Sequence, residues 1–220
     1  MTISAKEVQE LRKVSGAGMM ECKAALADAK GDINQAFKIL REKGIAKAEK
    51  KSSRDANEGL IGIKVFGNKA SIIEVNTETD FVSRNSEFHK LVNAILDIAI
   101  SNSNDIDVVN SKSTELINDA VSKIGENILL RRVKNLEGNI YSYIHNSVSD
   151  GLGKIGVIIN IKSENLDISD IGKNICMHIA ALNPKSISKN DLSSQLIESE
   201  KEIIKQQLKE SGKPDNILEK

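Results

Sequence analysis

Tryptophan is absent from these 220 residues, proline and cysteine occur twice each, and the aromatic set is four phenylalanines and two tyrosines. A core must therefore be built from aliphatic side chains, led by isoleucine, and each aromatic needs its own account. Cys22 and Cys176 stand far apart with no CxxC partner, which excludes a disulfide framework and a zinc site and fits a reduced, intracellular chain. No apolar run approaches the roughly 18 residues of a membrane span, and Met1 to Ala5 lead into charged sequence instead of a signal peptide. A cytoplasmic protein with no membrane partner is expected. Excess charge of one sign is also missing: 31 Lys and Arg balance 31 Asp and Glu. General binding to a phosphate backbone needs clustered unpaired cations, so no direct nucleic-acid contact is expected.

What is present is hydrophobic periodicity that changes along the chain. Residues 3–41 read as three short helices. Val8 and Leu11 share a face with Val14 following, and Ser15-Gly16-Ala17-Gly18 makes a turn. Met19, Cys22, Ala25, Leu26 and Ala29 line a second helix that Lys30-Gly31 ends. Asp32 caps a third, carrying Ile33, Ala36, Phe37 and Leu40 at helical spacing, with Gly44 as the next break. Residues 1–43 form the three-helix unit on this reading. Residues 44–57, with Lys47, Lys50, Lys51 and Arg54, form a basic helical linker.

From Glu58 the period becomes two. Ile61, Ile63 and Val65, a Gly67-Asn68 turn, then Ser71, Ile73 and Val75 predict a hairpin. Ser86 precedes a helix carrying Phe88, Leu91, Val92, Ile95, Leu96 and Ala99. The polar stretch 101–113 reads as a surface connection. Leu116, Ala120, Ile124 and Ile128 then predict a helix that runs toward an extended 129–133. The grammar repeats after Glu137-Gly138: strand 140–144, a longer turn 146–153, strand 155–161 and helix 168–181. A weak duplication of strand, strand and helix predicts an α+β core in two halves, 58–135 and 136–190, each sheet covered on one side by helices. Chance similarity is the competing explanation. Residues 191–220 read as a charged helix with a narrow apolar seam and a second helix barely begun at Asp215, a helical hairpin cut short.

Chemistry-bearing patterns are sparse. Glu74, Glu78 and Asp80 are carboxylates of a strand and turn, where solvation is the usual state, and no separated acid and base pair stands out. His89, His145 and His178 lack metal-ligand spacing. Ser15 to Gly18 lacks the Gly-Lys-Ser/Thr of a phosphate loop. No catalytic residue, cofactor or metal is expected. The anomaly is Thr77-Glu78-Thr79-Asp80-Phe81-Val82-Ser83-Arg84-Asn85, between a strand and a helix. A Phe at such a junction commonly packs on its own core, but the polar residues flanking Phe81-Val82 also allow exposure, which would suit an anchor for a partner. Met19-Met20 leaves a comparable choice: one can face the helical core, and the other is a soft apolar contact or local packing.

Leu11-Arg12 and Ser15-Gly16-Ala17-Gly18-Met19-Met20-Glu21-Cys22-Lys23, then Gly31-Asp32 and Lys43-Gly44-Ile45, resemble the N-terminal signature of the bacterial elongation factor Ts family. Thr77 to Val82 with Arg84-Asn85 and Glu87-Phe88 is similar to its central signature. Tyr143, His145, Lys154-Ile155-Gly156-Val157 and Met177-His178-Ile179-Ala180-Ala181 with Pro184 resemble its second core half. The resemblance implies a ubiquitin-associated-like three-helix domain and a core of two related α+β subdomains. It implies guanine nucleotide exchange on elongation factor Tu during translation elongation, with no enzymatic chemistry. It also implies partner contacts at Val14, Met19, Met20, Lys51, Asp80, Phe81 and His145, with Phe81 as a wedge near the partner's magnesium and phosphate site. Similar chains continue past Gly212-Lys213-Pro214 through a further helix and a C-terminal module. The rival reading from another class is a ubiquitin-associated-like interaction adaptor with no effect on nucleotide lifetime; self-association is left open.

Overall fold

The computed structural model describes residues 3–102, 104–163 and 168–210. The chain divides into two compact units, residues 1–180 and 181–220.

In the first unit, α1 (Ala5–Ser15) starts from a capping box in which the Ser4 hydroxyl accepts from the Glu7 N–H and the Glu7 carboxylate accepts from the Ser4 N–H. It ends at Gly16, whose φ of 67° lets the chain reverse. Helix α2 (Met19–Asp28) follows, then α3 (Ile33–Lys51), capped by the Asp32 carboxylate accepting from the Gln35 N–H at 3.0 Å. Val8, Leu11, Cys22, Ala25, Leu26, Ala36 and Leu40 close a small core between the three.

Three expectations are corrected here. Gly44 is not a break: α3 runs through it to Lys51, so the expected basic linker is largely the last turns of this helix. Gly44 faces Ser122 of α6 (Ile106–Ile124), where a Cβ would make an ordinary contact at 3.5 Å. Val14 leaves the Val8–Leu11 stripe and is exposed. Met19 and Met20 are both exposed, so neither serves the helical core; α2 buries Cys22, Ala25 and Leu26 instead.

The hairpin of β1 (Glu58–Phe66) and β2 (Lys69–Thr77) is present in full register around Gly67-Asn68. A four-residue helix, α4 (Asp80–Ser83), leads into α5 (Ser86–Ile100). The polar stretch 101–113 is only in part a connection, because Asp105 caps α6, accepting from the Asp107 N–H at 2.9 Å. The following β3 (Ile128–Glu137) already includes Ile128. The stretch 146–153 is not a long turn. Strand β4 (Ile140–Ser149) and β5 (Leu152–Asn160) extend almost to each other, with a bulge between Ser147 and Ser149 and a tight turn at Asp150-Gly151. Helix α7 (Ser169–Leu182) follows.

All pairings are antiparallel and the strand order is β3-β2-β1-β5-β4. The two strand groups expected to form separate sheets are thus joined in one, through Ile61 opposite Gly153 and Gly62 opposite Leu152. Helices α5 and α6 cover one face. Phe88, Leu91, Val92, Ile95 and Leu96 of α5 and Val109, Ile117 and Val121 of α6 meet Leu60, Ile73, Val75, Ile128, Leu130 and Leu152 of the sheet. Gly62 lies beneath α5, where a Cβ would come within 2.9 Å of Val92 and Leu96. Both cysteines are buried and free, and burial pushes the Cys176 thiol up from its ordinary value.

The second unit contains a short 3-10 turn (Lys189–Asp191) and α8 (Ser194–Glu210), along which Leu196, Ile203 and Ile204 are exposed. The helix expected from Asp215 lies outside the described residues.

Candidate docking surface

The segment from Thr77 to Asn85 holds its aromatic side chain outward by burying what surrounds it. In α4, successive side chains diverge by about 100°. Val82 packs into the main core and Ser83 is buried, so Phe81 points away and is 80% exposed. The Phe81 and Val82 carbonyls accept from the N–H groups of Arg84 and Asn85 at 3.2 and 2.9 Å. The Ser83 carbonyl lies 2.8 Å from His89 Nε2, and the Asn85 side chain caps α5 by accepting from the Glu87 N–H. Asp80 pairs with Arg84 at 3.1 Å, one turn along.

The other end of the segment is held from a distant part of the sequence. Gly125, with φ of 91°, ends α6 and turns Glu126 toward β2. One oxygen of the Glu126 carboxylate accepts from Thr77 Oγ1, the Glu78 N–H and the Thr79 N–H at 2.8, 3.1 and 3.0 Å. The other accepts from Thr79 Oγ1 at 2.6 Å. Partial burial raises the pKa of this carboxyl, but the donations from Thr79, Thr77 and Glu78 outweigh it and hold the group below the usual carboxylate range. The Glu78 carboxylate, expected to be solvated, is mostly buried: it accepts from the Asn127 N–H at 2.6 Å and pairs with Arg54 at 3.4 Å. Glu74 is likewise mostly buried and paired, with Arg132 at 2.5 Å.

Of the other predicted contacts, Val14 (65% exposed), Met19 (55%) and Met20 (76%) flank the turn between α1 and α2. That turn is braced by the Ser15 hydroxyl, which donates to the Leu11 carbonyl at 2.7 Å and accepts from the Ala17 N–H at 3.2 Å. The Lys51 ammonium donates to the Gly125 carbonyl at 2.6 Å. The Lys123 side chain lies directly over Gly16 and close enough to Glu87 to help keep that carboxylate charged, after the larger effect of Lys90. The methionine turn and the Phe81 turn are therefore both seated on residues 123–127. His145 is not part of this cluster. It lies on β4, three strands from β2, with Nδ1 3.0 Å from the Tyr143 hydroxyl.

Residue-by-residue reading missed Glu126, Asn127 and Lys123. Their partners lie far away in sequence, and the only local hint is Gly125-Glu126 after an apolar helical pattern.

Beside β1, β2 and β3 is an open cleft of about 550 Å³ lined by Ile61, Ile72, Ile106, Val133 and the Glu74–Arg132 pair. Its one carboxylate is already neutralised, and it lacks the converging titratable groups of a reaction centre. Among the described residues no cluster of His, Cys, Asp or Glu could hold a metal ion, and no helix is long and apolar enough to cross a membrane.

Outward apolar side chains braced by buried and paired neighbours on an α+β scaffold are features of a protein-docking factor. Comparison with known proteins specifies which kind. The family model for elongation factor Ts matches residues 78–220. Elongation factor Ts of Paracoccus denitrificans is 45% identical over 229 residues, covering 100% of this chain and 77% of the relative. The Brucella anthropi factor is 47% identical over 231 residues, covering 100% and 76%, and that of Agrobacterium fabrum 44%, covering 99% and 75%. The chain belongs to the elongation factor Ts family.

Proposed function

We propose that the Asp80–Phe81 turn is the wedge with which this chain, a guanine nucleotide exchange factor for elongation factor Tu in translation elongation, promotes GDP release. The observation that carries the reading is the outward Phe81 on a turn whose remaining side chains are buried or paired. Exchange of this kind needs no covalent change. A factor that binds the nucleotide-free GTPase more tightly than the loaded one weakens nucleotide binding by the same free energy.

Magnitude limits what Phe81 does alone. Its transfer into an apolar pocket is worth about 1.5 to 3 kcal/mol, whereas a four-decade shift in nucleotide affinity needs about 5.5 kcal/mol of differential binding. Phe81 therefore disturbs the partner's magnesium and phosphate contacts, whose loss weakens the hold on the phosphate charge. Val14, Met19 and Met20 hold the GTPase from the N-terminal helices, and His145 from the far side of the sheet. Lys51, already donating to Gly125, contributes from the base of this surface.

The same reading assigns residues 1–43 to a ubiquitin-associated-like domain, 44–57 to its helical extension, and 58–135 and 136–190 to duplicated core halves. Within 191–220 it takes α8 (Ser194–Glu210) as the first arm of the expected hairpin. Support for duplication comes from the strand, strand and helix order on both sides, and from Gly59 and Gly138, which stand at corresponding positions with φ of 136° and 132°. A cytoplasmic location follows from the site of translation.

The experiment is release of fluorescent GDP from the cognate elongation factor Tu, followed by stopped flow with wild-type chain and with Phe81→Ala. The wedge reading predicts a reduced maximal rate with the variant; equal rates reject it.

A further inference from the structure

We infer that Glu126 is the positioning residue of the exchange surface, its carboxylate setting the direction in which Phe81 leaves the molecule. This rests on the wedge reading and adds the group that aims the wedge.

Between the end of β2 and the start of α4 the backbone makes no ladder bonds, and its consecutive N–H groups at Glu78 and Thr79 both point at Glu126. Two hydroxyls, of Thr77 and Thr79, converge on the same group. One anion thereby satisfies four donors over three residues, the concave arrangement in which backbone N–H groups suit a negative charge. Phe81 follows two residues later, so any freedom at Glu78-Thr79 becomes a change in the angle of the ring.

The carboxylate is itself fixed. It lies one residue beyond the Gly125 turn, Lys51 of α3 holds the Gly125 carbonyl, and Glu78 holds the next N–H along, that of Asn127. Lys123, three residues before Glu126, lies over Gly16 in the methionine turn. The end of α6 thus fixes the aim of Phe81 relative to Val14 and Met20 as well as to its own helix.

Oxygen count distinguishes positioning from charge. Three of the four donations reach one oxygen, so a glutamine can keep them with its carbonyl and turn its amide toward the Thr79 hydroxyl, which is free to accept. Alanine keeps none.

The test is maximal fluorescent-GDP release from elongation factor Tu at saturating factor, for wild type, Glu126→Ala, Glu126→Gln, Phe81→Ala and the Glu126→Ala/Phe81→Ala double variant, with urea unfolding of each. Glu126→Ala should lower the maximal rate roughly tenfold, equivalent to about 1.4 kcal/mol. Glu126→Gln should stay within roughly twofold of wild type, and the double variant within roughly twofold of Phe81→Ala, because an unaimed wedge and an absent wedge are the same loss. A merely structural role would reduce the active fraction and would act equally in both backgrounds. Wild-type maximal rate in Glu126→Ala, or full additivity with Phe81→Ala, overturns the inference. Should Glu126→Ala not fold, Thr79→Val removes one donation from the same cradle and should slow release roughly threefold; an unchanged rate then overturns it. A wild-type rate in Phe81→Ala sinks the wedge reading itself. Loss in Phe81→Ala with none in Glu126→Ala sinks only the role of Glu126.

Discussion

Two phenylalanines seven residues apart should fail in opposite ways when truncated. Phe88, on the first turns of α5, is fully buried among Leu60, Ile73, Val75 and the α6 side chains. Its replacement by alanine removes a large apolar group and leaves a cavity, so unfolding free energy should fall by about 3 to 5 kcal/mol. That is a large share of the about 5 to 15 kcal/mol available to a domain of ordinary stability. Phe81 has little to lose on the same account, because most of its ring already meets water, and Phe81→Ala should change unfolding free energy by less than about 0.5 kcal/mol. The order reverses in the exchange assay. If the ring is buried in the partner, its loss removes about 1.5 to 3 kcal/mol, a reduction of GDP-release stimulation of roughly tenfold to a hundredfold. Phe88→Ala, assayed where the remaining folded fraction is known, should stimulate normally per folded molecule. Urea titration and stopped-flow release on the same preparations measure both quantities. A loss of several kcal/mol of stability in Phe81→Ala, or equal effects of the two substitutions on release per folded molecule, would refute the reasoning.

Glu126 has a folded-state pKa below the unfolded value of about 4.3. Its stabilising contribution is therefore complete above that unfolded value and is lost as pH falls through the folded one; Glu126→Gln should flatten the acid limb of an unfolding-midpoint profile, and an identical limb would contradict the assignment. Met20→Ser should raise the half-saturating concentration of factor in GDP release while leaving the unfolding midpoint unchanged, since Met20 is exposed; a lowered midpoint would show that the side chain packs locally. Gly59→Ala should destabilise by about 2 kcal/mol or more, because φ of 136° is strained for alanine and its Cβ would fall 2.1 Å from the Val75 carbonyl oxygen; an urea midpoint equal to wild type would exclude that geometry.

Legibility of the fold followed the range of the interactions. The β1–β2 hairpin and α5 were readable because alternation and helical spacing are local and their glycine turn and cap lie beside them. Gly44 misleads because glycine usually weakens a helix by about 1 kcal/mol, whereas here it is a buried residue of an α3 held by its packing against α2 and α6. The polar stretches 101–113 and 146–153 read as loops on composition alone. The first contains the exposed early turns of α6. The second belongs to an edge hairpin, where β4 has one partner strand and tolerates Asn and Ser on its open side. Joining of the two halves through β1 and β5 has no local signature at all.

The site divides in the same way. Phe81 was suspect because its neighbours are polar, and Val82, burying itself beside it, explains the outward direction. For the methionine pair, an amphipathic pattern suggests that Met19 faces inward, but α2 fills its core side with Cys22, Ala25 and Leu26 and leaves both methionines exposed. Glu126 was out of reach because its four donors lie 47 to 49 residues earlier.

The measurement that addresses the wedge most directly is fluorine NMR of the chain carrying 4-fluorophenylalanine at position 81, recorded free and with nucleotide-free elongation factor Tu. A solvent-induced isotope shift typical of exposed fluorine in the free chain, abolished in the complex, is the predicted pair of results. A ring shielded from solvent in the free chain, or one still fully exposed to solvent in the complex, would contradict the account.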